Sequence, residues 1–162
     1  MKETKYKSSV LLSIFRRKGA EGASTKILNE DNKLNFVNQI SLLKDEEQPL
    51  LCSKQDELNW LFITNDRIIQ ANESEISSIL YSELVEVSLA MQDEFKDGVV
   101  KKEDFTRFVL KDSKGRKHIV KVEKGKPYQG IYQMLSHVVL NNKAGIVKKD
   151  ICCVFQILNL IM

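Results

Sequence analysis

The stretch Leu58–Ala71, LNWLFITNDRIIQA, constrains the fold more than any other part of the chain. Trp60, Phe62, Ile63, Ile68 and Ile69 are residue types that suit a pleated, half-buried surface. Between them Asn65 and Asp66 tolerate the backbone of a two-residue turn, so the stretch predicts an antiparallel hairpin. Trp60 and Phe62 lie two apart and share one face, which is assigned to the core.

Further short strands are expected around this hairpin. They are Leu50–Ser53, Ile79–Tyr81 continuing into Leu84–Leu89, Phe105–Leu110 and His118–Val122, the last two joined by the turn Asp112-Ser113-Lys114-Gly115. Residues 72–78 read as a polar loop and 90–104 as a polar connection in which Asp93, Glu94 and Asp97 are solvated. Three segments have helical spacing instead. Residues 24–44 place Leu34, Val37 and Ile40 on a narrow stripe. Pro127 opens a helix through Ile131, Met134, Leu135, Val138 and Val139 to about Asn142. A tail follows, with Val147, Ile151, Val154, Phe155, Leu158 and Ile161 on one helical face. The sequence thus divides into an N-terminal polar arm and helix (1–48), a β-rich domain (49–142) and an apolar tail helix (143–162). The fold class is mainly β, α+β with flanking helices.

Charge is unevenly distributed along the 162 residues. Residues 1–20 hold six Lys/Arg and one Glu, residues 49–98 three basic and ten acidic, and residues 99–126 ten basic and four acidic. Opposite charges can pair across neighbouring strands. Alternatively the basic half forms a binding face, for which Lys111, Lys114, Arg116, Lys117, Lys124 and Lys126 are the candidates, gathered near strand ends. That face lacks interleaved aromatics, so it fits anionic lipid or an acidic protein and not single-stranded nucleic acid. The island Val10–Phe15, flanked by Lys2, Lys5, Lys7 and Arg16–Lys18, either docks on the domain or rests on an anionic membrane. The greasy tail needs a cover: its own domain, a homo-oligomer or partner protein, or a membrane.

The remaining chemistry is sparse. Cys52, Cys152 and Cys153 form no disulfide framework, and a reducing, cytoplasmic location is expected. His118 and His137 lie on different elements, and neither a metal-ligand spacing nor a glycine-rich phosphate loop is present. The reading is therefore a protein that is not an enzyme and carries no cofactor or metal. Arg67 is expected to pair with Asp66, Glu83 or a backbone carbonyl.

The runs WLFITNDRIIQ, ILYSELVEVSL and FTRFVLKDSKGRKHIVKV, with the helix that follows, resemble the bacterial pleckstrin-homology-like (PH-like) domains. The likeness rests on the corner Thr64-Asn65-Asp66-Arg67 and the strand start Tyr81-Ser82-Glu83-Leu84, and it spans residues 49–142. It implies a bent barrel or sandwich of about seven strands with one open end plugged by the C-terminal helix. It also implies a protein-interaction or self-assembly module, with a peripheral adaptor on anionic membrane as the alternative. Phosphoinositide-binding relatives cluster Lys/Arg at the first two strands and their loop. Here that loop is Lys54-Gln55-Asp56-Glu57, one base and two acids, which departs from the lipid-binding pattern.

Overall fold

A computed structural model describes residues 6–73 and 75–161, the side chains of 144–161 excepted. The elements run α1 (Ser8–Lys18), β1 (Thr25–Ile27), α2 (Val37–Ile40), β2 (Pro49–Lys54), β3 (Trp60–Thr64), β4 (Arg67–Asn72), β5 (Glu75–Leu80), β6 (Leu84–Leu89), α3 (Met91–Lys96), β7 (Arg107–Asp112), β8 (Lys117–Lys121) and α4 (Lys126–Ile161). The eight strands form two antiparallel meanders, β1-β2-β3-β4-β5 and β6-β7-β8, which do not close into a barrel. The fold is mainly β with helices at both ends, as the hydrophobic patterning predicts.

β3 is the centre of the larger sheet, and all five of its residues are buried. Side chains alternate across a strand, so β3 feeds two cores. Leu61 and Ile63 join the main core, with Phe108, Leu110 and Val120 of the second sheet and Ile131, Leu135 and Val138 of α4. Trp60 and Phe62 share a face as expected, but they point the other way. They build a smaller core with Cys52, Ile69, Ala71 and Phe36.

The segment 24–44, expected to be one helix, is the cover of that smaller core. It supplies β1, a 3-10 turn (Lys33–Phe36) and the single turn α2. Asn29 and Asn32 explain the break. The Asn29 Oδ1 accepts the N–H groups of Asp31 and Asn32 at 2.9 Å each, and Asn32 Oδ1 accepts the N–H of Asn29 at 2.9 Å. Such side-chain bonds offer the backbone a turn in place of a helix. Residues 75–78, expected to be loop, instead begin β5. The expected continuous strand 79–89 is broken by a 3-10 turn at Tyr81–Glu83, where the chain passes from one sheet to the other. α3 forms within the expected polar connection. α4 is one helix of 36 residues that runs through residue 143, where the tail helix is expected to begin.

α1 docks on α4 and places Leu11, Ile14 and Phe15 in the main core. The approach is close because Gly19, just after α1, meets Gly130 of α4. A Cβ added to Gly19 would lie 2.6 Å from the Gly130 Cα, and one added to Gly130 would lie 2.6 Å from the Phe15 ring. Even Ala cannot enter without moving the packed ring. Gly130→Ala is expected to lower the unfolding free energy by about 1–3 kcal/mol, the usual cost of overpacking. Denaturant unfolding checks this, and the loss should shrink in a Phe15→Leu background, where the clashing ring is gone.

Candidate functional site

The corner Thr64–Arg67 is an anchor for its neighbours. The Thr64 hydroxyl accepts the N–H groups of Asp66 and Arg67 at 3.1 and 3.0 Å and donates to Glu47 Oε2 at 2.6 Å. Asn65 pairs in both directions with the backbone of Gln48, at 3.1 and 2.9 Å. The Arg67 guanidinium grips Glu47 through Nε at 3.0 Å and Nη2 at 3.1 Å, and Nη2 also donates to the Leu42 carbonyl at 2.8 Å. Of the three expected partner types, the backbone carbonyl is found. The carboxylate is Glu47, twenty residues upstream, and not Asp66 or Glu83. Burial opposes ionisation of Glu47, but hydrogen bonds from Arg67 and Thr64 outweigh it and hold its carboxyl below the usual range.

Tyr81 completes this junction. Its N–H donates to the Asp66 carbonyl at 3.0 Å and its hydroxyl to the Thr64 carbonyl at 2.6 Å. From α4, the Asn142 amide donates to the carbonyls of Tyr81 and Leu84 at 2.7 and 3.0 Å. Asn142 Oδ1 in turn accepts the Tyr6 hydroxyl, and the Tyr6 ring meets the Tyr81 ring edge-on at 5.5 Å. Burial raises the phenol pKa of both tyrosines.

The basic candidates do not form one cluster. Lys114 and Arg116 sit on the β7–β8 turn, and Lys111 stands opposite Lys117 in the ladder. Glu86 of β6 is in register on the other side of Lys111 and offsets that like-charge pair. Lys124 and Lys126 follow the far end of β8, separated from the turn by a strand of roughly 13 Å. The turn itself is built around Asp112, whose side chain is nearly buried. Its carboxylate accepts the N–H groups of Lys114 and Arg116 at 2.9 and 3.0 Å, Arg116 Nε at 3.0 Å, and faces His118 Nε2 at 3.0 Å. Gly115, with φ of 81°, supplies the left-handed residue the turn requires. Arg116 is therefore partly neutralised.

Two carboxylates, Glu94, which looks solvated in the sequence, and Glu123, hold backbone instead. Glu94 is 1% exposed, and its Oε1 accepts the N–H groups of Thr106 and Arg107 at 2.8 and 2.7 Å. Glu123 accepts Ala23 N–H at 2.8 Å and Ser24 N–H at 3.1 Å, tying the segment before β1 to the end of β8. Nothing in the local sequence marks either role, because both bonds reach residues distant in the chain. The Cys52 thiol is buried and its pKa is pushed up to about 12 by burial, so it is no nucleophile near neutral pH. Among the described residues no group of three or more His, Cys, Asp or Glu could hold a metal ion.

The two sheets meet at a polar cleft of about 490 Å³ whose lining includes Trp60, Gln70, Asn72, Asp93, Arg107 and Lys121. Arg107 is engaged there, pairing with Asp97 and donating to the Asp93 carbonyl at 3.1 Å. The expected interface residues Val147, Ile151, Val154, Phe155, Leu158 and Ile161 continue the backbone of α4, but their side chains lie outside the described residues, as do Lys2 and Lys5. No helix among the described residues is long and apolar enough to cross a membrane. No protein-family model matches the chain, and no curated protein matches it.

The hydrogen bond with His118 leads the interactions that hold the Asp112 carboxyl well below its ordinary value of 3.8. A group depressed on folding stabilises the protein above its unfolded pKa, and the contribution is lost as pH falls through the folded one. Stability is therefore expected to decline below about pH 4. Asp112→Asn should be less stable than the parent at pH 7, and the gap should narrow in acid, as measured by denaturant unfolding at both pH values.

Proposed function

We propose that this chain is a non-catalytic PH-like interaction module that acts in protein–protein contact or self-assembly. Three observations support the fold reading. β1–β5 and β6–β8 are successive antiparallel meanders of five and three strands. α4 packs on the main core beside them. The Thr64–Arg67 corner and the Tyr81 strand start are bonded to each other.

The observation that carries the non-catalytic reading is the fate of the buried carboxylates. Glu94 and Asp112 bind backbone N–H groups and Glu47 binds Arg67, so each is committed to holding a loop. A general acid or base needs a titratable group that faces a substrate. Contact with a partner is assigned to the apolar part of α4 beyond residue 143. A chain ending at Asn142 is accordingly expected to keep the parent's thermal unfolding transition while losing its larger particles in light scattering. Identical scattering by the two chains would count against the reading.

A second reading, a peripheral adaptor on an anionic membrane surface, is favoured by one contact. Gly19 lies against the Lys126 carbonyl. This brings the exposed basic end of α1, Arg16–Lys18, beside Lys126 at the start of α4. Two basic groups that are far apart in sequence thus share one end of the molecule. Under this reading the protein co-sediments with vesicles containing anionic lipid at low salt and is released at moderate salt. Arg16→Glu with Lys126→Glu should abolish the binding, and salt-independent binding or none would remove the reading.

A further inference from the structure

The apolar stripe of α4 changes sides near Leu140. Residues on a helix advance about 100° each. Ile131, Met134, Leu135, Val138 and Val139 occupy the core-facing side, none more than 7% exposed, and Asn142 ends that stripe. Continued in steps of three and four, the same side carries Gly145, Lys149, Cys152 and Gln156, with no large aliphatic or aromatic residue before Leu160. A second stripe begins at Leu140, which is 65% exposed. It proceeds through Ala144, Val147, Ile151, Val154, Leu158 and Ile161 in steps of four, three, four, three, four and three. Leu140 is two residues from both Val138 and Asn142, and so lies about 200° round the helix from each. The new stripe therefore starts, at Leu140, on the side turned away from the core.

The alternation of three and four is the heptad spacing of a helix covered by other helices. With Leu140 at position d, the a positions are Ala144, Ile151 and Leu158, and the d positions are Leu140, Val147, Val154 and Ile161. Leu at d favours two strands, but three of these four d residues are β-branched. The last layer, Leu158 with Ile161, has the Leu-at-a, Ile-at-d arrangement that shifts preference to three or four strands. Phe155 and Ile157 fall at the flanking e and g positions and widen the face, as a bundle of more than two helices requires. Asp150 sits at another flanking position, which a helix lying on anionic lipid would not favour.

We propose that residues 140–161 of α4 form a parallel three- or four-stranded coiled coil with other copies of this chain. The proposal rests on the self-assembly reading above and specifies its partner and seam. Lys143 at g faces Lys148 at e of the neighbouring helix in this arrangement, so the association strengthens as salt screens them.

Sedimentation equilibrium of the full chain tests the idea. The expected result is a species of three or four times 18.6 kDa that dissociates on dilution and is favoured by added salt. Ile151→Lys and Val154→Lys should each weaken association at least tenfold. Gln156→Lys, on the side that continues the core-facing stripe, should leave the mass unchanged. Circular dichroism melting of the same samples shows that the domain remains folded. Wild-type protein that sediments as a monomer at every concentration overturns the proposal and the self-assembly reading with it. An oligomer whose mass neither seam variant alters overturns the proposal alone, and the interface then lies elsewhere.

Discussion

Tyr81 is the residue on which the two halves of the molecule turn. It lies where the chain leaves the five-stranded sheet and enters the three-stranded one, and it is 2% exposed. Three of its polar groups have fixed partners: the hydroxyl meets the Thr64 carbonyl, the N–H meets Asp66, and the carbonyl meets the Asn142 amide. Each would cost about 1–3 kcal/mol if buried without a partner. The sheets and α4 can therefore separate only by exposing or orphaning this set. The Thr64–Arg67 corner adds the loop 42–48 to the same point through Glu47 and Gln48. Two sheets that do not close into a barrel are thus held in register by polar bonds at one corner and by apolar packing beneath.

The sequence is most legible where its signals are local. The hairpin at Asn65–Asp66, the turn ending in Gly115 and the start of α4 at Lys126 are all marked by residues within a few positions of the feature. It misleads where a competing turn bond or a tertiary contact overrides the periodic pattern. The stripe of Leu34, Val37 and Ile40 suits a helix, yet Asn29 and Asn32 divert the backbone and the segment becomes a lid on Trp60 and Phe62. β5 is exposed at its first four residues and carries no clear alternation, so only its ladder with β4 makes it a strand.

The candidate surfaces follow the same division. Charge runs identify Lys111–Lys126 as basic, and the strand expected at His118–Val122 already separates its ends, but linear position cannot say that Asp112 occupies Arg116. The gathering of Arg16–Lys18 beside Lys126 depends on the meeting of Gly19 and Gly130, two lone glycines with no local pattern. The structural roles of Glu47, Glu94 and Glu123 are invisible for the same reason. The apolar tail is the opposite case: its spacing is plain in the sequence, and the structure adds which side of α4 the domain already uses.

Tyr6 bonds to α4 across 132 residues of chain, and α1 packs on the same helix. Closing a loop of that length costs about 4 kcal/mol of chain entropy before any contact is gained. During synthesis, α1 emerges well before α4, the partner it packs against. The apolar residues Leu11, Ile14 and Phe15 must then remain without their native cover until α4 has left the ribosome. Docking of α1 consequently waits for α4, and until then the nascent chain carries an exposed hydrophobic helix that invites holding by a chaperone.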